Sequence, residues 1–112
     1  MIGPILTALD PRIKVAVFEM GGCNNLNVLP EEDPMNFAPR VKIPVLMTNG
    51  RYDFEIPLET CQEPLFRALG TPPADKKHVL YDTGHMPPQL SLMKETLDWF
   101  DHYVGPVKSR WP

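Results

Sequence analysis

Residues 41–57 read VKIPVLMTNGRYDFEIP, and residues 76–88 read KKHVLYDTGHMPP. Each is an apolar run that opens into a short polar loop with one prominent titratable group, Asp53 in the first and His85 in the second. In IPVLMT, residues 43–48, apolar side chains occupy both parities, the pattern of a strand covered on both faces of a parallel sheet. Residues 78–81 form a shorter run that is similarly apolar. Between the two runs, Pro57 to Leu69 reads as a helix with proline at its first position and a stop at Gly70. Pro64, inside that helix, lacks an N–H and is expected to kink or split it. Strand, helix, strand in this order calls for parallel strands joined by a right-handed crossover.

The same alternation extends outward in both directions. Ile5, Leu6, Ala8 and Leu9 read as the end of a helix stopped before Pro11. IKVAVF, residues 13–18, is a β-branched-rich run closed by Gly21-Gly22 and is expected to be a further strand. Residues 23–42 are turn-rich, with Asn24, Asn25, Pro30, Pro34 and Pro39; Asp33 should cap a short helix at Pro34 to Ala38. Downstream, Leu92, Met93, Thr96, Leu97, Phe100 and Tyr103 recur at helical spacing between Gln89 and Tyr103, ahead of a stop at Gly105-Pro106. Residues 1–112 thus read as one α/β unit of about three parallel strands with flanking helices, without an internal repeat.

Composition narrows the function classes. A chain of 112 residues that is 43% hydrophobic can bury one small core, and its 14 prolines fall at element boundaries, not in a low-complexity tract. A net charge of −3 speaks against nucleic acid or an anionic membrane as partner. No apolar stretch is long enough to span a bilayer, and the first residues lack the pattern of a secretory signal. Cys23 and Cys61 have neither zinc-ligand spacing nor the numbers of a disulfide framework, which favours a reducing compartment, the cytoplasm. His78, His85 and His102 have no metal-ligand spacing, and no cofactor is expected.

NFAPRVKIPVLMTNGRYDFEIP followed by KHVLYDTGHMPP and a terminal amphipathic helix resembles the C-terminal part of α/β hydrolases, in the branch of prolyl oligopeptidases, acetyl esterases and dienelactone hydrolases. The resemblance covers nearly the whole chain. GPILTALDPRIKVAVFEMGG then corresponds to the helix after the nucleophile elbow and the strand that follows it. In that family the triad runs nucleophile, acid, histidine along the chain. The resemblance implies that Asp53 is the acid and His85 the base, with the elbow serine a few residues before Met1; no G-x-S-x-G occurs within the 112 residues.

The chemistry of the two residues agrees with those roles. Ligands of open α/β sheets bind at the carboxyl ends of the strands, where both residues fall. An imidazole can take a proton from a hydroxyl and return it to a leaving group. A carboxylate beside it orients the ring and stabilises the imidazolium. Gly84 and Gly50 are expected to provide tight backbone turns beside the base and the acid. Glu55 is the alternative acid. Cys23, after Gly21-Gly22, is a conceivable nucleophile but reads first as a small buried thiol. Ser91 and Ser109 lie in or beyond the last helix, without elbow geometry. Arg51 and Tyr52 read as an exposed loop pair, Trp99 and Phe100 as packing residues, His102 as a helix-end cation, and Trp111 carries no reading.

The expected function is the C-terminal half of a serine hydrolase of ester or amide bonds, acting on a small ester or peptide once completed by an N-terminal half and inert alone. The alternative is a non-catalytic module that assembles as a homo-oligomer, or with a partner chain, through the open edge of the strand Ile13 to Phe18.

Overall fold

The computed structural model describes residues 2–23 and 28–110, so Asn24, Asn25 and Trp111 lie outside the described residues. Three parallel strands, β1 (Ala16–Glu19), β2 (Val45–Gly50) and β3 (Lys76–Tyr81), form one sheet in the order β1-β2-β3. Around it lie helices α1 (Gly3–Leu9), α2 (Pro34–Phe37), α3 (Glu63–Ala68) and α4 (Gln89–Val104). Among the described residues no helix is long and apolar enough to cross a membrane.

Local chemistry sets the boundaries. The Asp33 carboxylate accepts the Met35 amide at 2.9 Å and caps α2 as the sequence predicts. β1 starts at Ala16 instead of Ile13, and β2 at Val45 instead of Ile43. Proline accounts for both shifts. Ala16 N donates to Pro44 O at 3.0 Å, but Pro44 has no N–H to extend the ladder toward the chain start. Pro64 divides the predicted 57–69 helix. A π-turn, Leu58–Gln62, precedes α3, and the amides of Cys61 and Gln62 both donate to Pro57 O at 2.9 and 3.2 Å. At the far end Gly105, with φ 83°, terminates α4.

β2 is buried along its whole length, as its double-parity pattern requires. Val45 and Met47 join Ala16, Phe18, Ala38, Val41, Leu65 and Leu69 in the core between the sheet and α1–α3. Each fully buried Leu, Val or Met contributes roughly 1.5–3 kcal/mol. On the opposite face α4 crosses β2 and is tied to β3 by Lys77–Glu95 at 3.1 Å and to the preceding turn by Tyr103–Asp75 at 3.0 Å. No residue of α4 is fully buried, and Leu90, Met93 and Leu97 are exposed.

Beyond the sheet, two backbone bonds continue the β2–β3 alignment into the loops. Arg51 N donates to Tyr81 O at 2.8 Å and Tyr52 N to Thr83 O at 3.0 Å. The glycines here act otherwise than the sequence suggests, because neither Gly50 nor Gly84 has a positive φ. Gly50 is needed for close approach: a Cβ there would collide with the Gly84 carbonyl oxygen and come within 2.6 Å of Thr83 O. A Cβ on Gly84 would meet open space. Gly50→Ala should therefore cost roughly 1–3 kcal/mol or more, as overpacking does. Gly84→Ala should stay within about 0.5 kcal/mol. Urea unfolding of both variants checks this; equal effects would contradict it.

Candidate active site

The β2–β3 rim holds a hydrogen-bonded acid and base. His85 Nδ1 lies 2.8 Å from Asp53 Oδ2. Asp53 is 4% exposed, whereas the His85 side chain remains 29% exposed. The second carboxylate oxygen, Asp53 Oδ1, accepts the amides of Glu55 at 2.8 Å and Ile56 at 3.0 Å. Burial pushes the Asp53 pKa up, but the Ile56 amide, the His85 hydrogen bond and the Glu55 amide outweigh it, so the carboxyl titrates below its ordinary value. A buried anion satisfied on both oxygens fixes the ring it holds. With Nδ1 donating to Asp53, Nε2 is the nitrogen left to exchange a proton with a reactant.

Glu55 stands on the other side of the ring, its Oε2 3.9 Å from His85 Nε2 and its side chain 56% exposed. That distance is too long for a hydrogen bond, so the carboxylate that engages the imidazole is Asp53. An open cleft of about 600 Å³, lined by Arg51, Tyr52, Asp53, Phe54, Pro57 and Leu58 among others, adjoins the acid loop. Arg51 is anchored to Asp82 at 3.2 Å, which ties the acid loop to the loop carrying the base; Tyr52 and Phe54 are exposed. A narrower cavity of about 190 Å³, beside Gly3, Phe18 and Leu65, lies along β1 away from this chemistry.

Cys23 does not join the pair. Its thiol lies 3.3 Å from Thr60 O and its amide donates to Cys61 O at 3.2 Å. Burial, reinforced by the Cys61 thiol, pushes its pKa up to about 12, so it is protonated at neutral pH and a poor nucleophile. His78 sits inside β3, stacked on Phe66, with Nε2 2.9 Å from Asn49 Oδ1. His102 packs edge-on to Tyr103 in the last turn of α4. Trp99 and Phe100 are half-buried in α4, as packing residues would be. Among the described residues no group of three or more His, Cys, Asp and Glu side chains converges as a metal site.

Two supporting side chains escape a motif-based reading. Asn49 is fully buried and bridges Gly21 O, just beyond β1, at 2.9 Å to His78 inside β3, linking all three strands. Gln62 is fully buried beneath the acid loop, with Nε2 3.0 Å from Gly50 O and 2.7 Å from Ile56 O. Asn49 carries a sequence signal, a lone amide at the end of an apolar strand; Gln62 carries none.

Comparison with solved structures bears on the fold. A cold-adapted esterase from an Arctic intertidal metagenomic library superposes with a TM-score of 0.75 at 30% identity, over 91% of this chain and 42% of that one. The chain carries the C-terminal part of an α/β-hydrolase fold. A candidate dienelactone hydrolase from Klebsiella pneumoniae matches this hydrolase portion with a TM-score of 0.73 at 25% identity, over 91% of this chain and 48% of that one. A monoacylglycerol lipase from Paleococcus ferrophilus shares the fold over 62% of this chain and 28% of its own, at 24% identity and a TM-score of 0.53. The hydrolase portion thus spans less than half the length of each of these proteins. No family model and no curated protein sequence matches.

Burial pushes the His78 pKa below its ordinary 6.5, against a smaller upward pull from Glu63, and that of Asp53 also lies below its ordinary value. In both cases the unfolded chain binds protons that the folded one rejects. Stability should therefore fall as pH drops below about 6.5, through His78, and again below about 4, through Asp53. Urea midpoints from pH 8 to 3 check the sign; a midpoint that rises on acidification would contradict it.

Proposed function

We propose that this chain supplies the acid and the base of a serine-hydrolase triad acting on ester bonds, with Asp53 as acid and His85 as base. The observation that carries the reading is the 2.8 Å pairing of a partly exposed imidazole with a buried carboxylate at the strand ends. In the proposed cycle, His85 Nε2 takes the proton of a serine hydroxyl as the oxygen attacks the ester carbonyl. It then returns that proton to the leaving alcohol, and in the second half takes a proton from the water that cleaves the acyl-serine and returns it to the serine oxygen, releasing the acid. Asp53 stays ionised throughout and stabilises the imidazolium. The serine and the oxyanion donors come from a complementary segment, since these residues hold no G-x-S-x-G. The metagenomic esterase and the candidate dienelactone hydrolase favour esters over peptides as the substrate class.

A second reading, a non-catalytic module assembling through the β1 edge, is favoured by two observations: among the described residues β1 pairs with β2 alone, and Leu6, Leu9, Met93 and Leu97 are exposed. It predicts a homo-oligomer in solution. Light scattering that finds a folded monomer at high concentration would remove it.

The hydrolytic reading is tested with p-nitrophenyl acetate. The isolated chain should give no His85-dependent turnover. A chimera with the nucleophile-bearing half of the metagenomic esterase should be active and lose about a thousandfold or more on His85→Ala or Asp53→Asn. A folded, active chimera indifferent to His85→Ala would overturn the assignment. Robust turnover by the isolated chain that depends on His85 but not Cys23 would overturn its inertness.

A further inference from the structure

We infer that Gln62 is the positioning residue of the acid loop: its amide clamps both ends of the loop and thereby sets the geometry of the Asp53–His85 pair. This rests on the acid–base reading above and extends it to a residue that touches neither reacting group. Asp53 lies in a loop running from Gly50, where β2 ends, to Ile56. Such a loop needs a fixed frame if its carboxylate is to hold one direction. Gln62 provides it from below, donating one N–H to Gly50 O at 3.0 Å and the other to Ile56 O at 2.7 Å. Ile56 in turn donates its own amide to Asp53 Oδ1 at 3.0 Å. The chain of contacts is thus Gln62 to the Ile56 peptide, to Asp53, to His85.

Three features separate this from ordinary packing. Gln62 is 0% exposed, so its donated bond to Gly50 O is shielded from competing water and that to Ile56 O is partly so. Its position follows from the π-turn: Gln62 N reaches back to Pro57 O, and this widened turn, ahead of the break at Pro64, carries the side chain under the loop. The amide is also used asymmetrically. Nε2 has two acceptors whereas, among the described residues, the buried Oε1 has no donor, so the orientation is dictated by the loop carbonyls. The place is filled for what it donates.

A glutamine is chemically suited to this task. A methionine of similar size donates nothing. A glutamate would face two carbonyl oxygens with its own negative charge, and only when protonated would it donate to one of them. Gln62→Met and Gln62→Glu therefore separate donation from volume.

The experiment is NMR on the chain itself, with amide exchange measured for Glu55 and Ile56 and the downfield Nδ1 proton line of His85 recorded. In Gln62→Met, at temperatures where the fold is retained, exchange at both amides should accelerate roughly tenfold or more and the Nδ1 line should be lost. In Gln62→Glu, protection should be partly restored at low pH and lost as the carboxyl ionises, a pH profile that a packing role would not give. Unchanged exchange and an unchanged Nδ1 line in folded Gln62→Met would overturn the inference. Should Gln62→Met fail to fold, a Gln62→Glu protein with pH-independent protection overturns it equally. A wild-type chain without the downfield line, unaffected by Asp53→Asn, would instead sink the acid–base reading, while amide exchange alone would still judge Gln62 as a clamp.

Discussion

The carbonyl oxygen of Gly84 occupies the space that a side chain at residue 50 would need. That approach brings the loop after β2 and the loop after β3 into register beyond the sheet, and the site is built on it. Two backbone hydrogen bonds, from Arg51 to Tyr81 and from Tyr52 to Thr83, carry the strand alignment forward until Asp53 and His85 stand side by side. Neighbouring parallel strands already have their carboxyl ends on one rim. The absence of a Cβ at residue 50 lets that rim close to hydrogen-bonding distance.

Closure is stabilised by a graded set of polar contacts. Burying a carboxylate such as Asp53 is unfavourable unless its oxygens are satisfied, and here both are, by two backbone amides and the imidazole. The amides of Asn49 and Gln62 lie one layer below; Asn49 links the three strands and Gln62 holds the acid loop. The apolar core beneath them, with Val45, Met47 and Leu65 fully buried, supplies a rigid floor. Burial decreases outward, toward exposed Tyr52, Phe54 and Met86.

Much of this was legible in the residues. Double-parity apolar runs gave the parallel strands, Asp33-Pro34 gave a capped turn, Pro64 gave the helix break, and the two loop motifs gave Asp53 and His85. Strand starts were misjudged because β-branched residues such as Ile13 and Ile43 favour strands, while ladder formation depended on the missing N–H of Pro44. The two glycines were misread for a related reason: a glycine can serve backbone dihedrals or close approach, and only three-dimensional contact distinguishes them. Gln62 was invisible because its role depends on a π-turn that shifts the helical phase by a residue. Local spacing does not encode that shift.

The site turns on an imidazole held through Nδ1 by Asp53, which leaves Nε2 as the nitrogen that can exchange a proton. Long-range proton–nitrogen correlation spectra of the His85 ring, taken at a pH where it is neutral, report the tautomer directly. A protonated Nδ1 and an unprotonated Nε2 are expected, with the population of that tautomer reduced in Asp53→Asn. A neutral ring protonated on Nε2, or one averaging freely between tautomers regardless of residue 53, would contradict it.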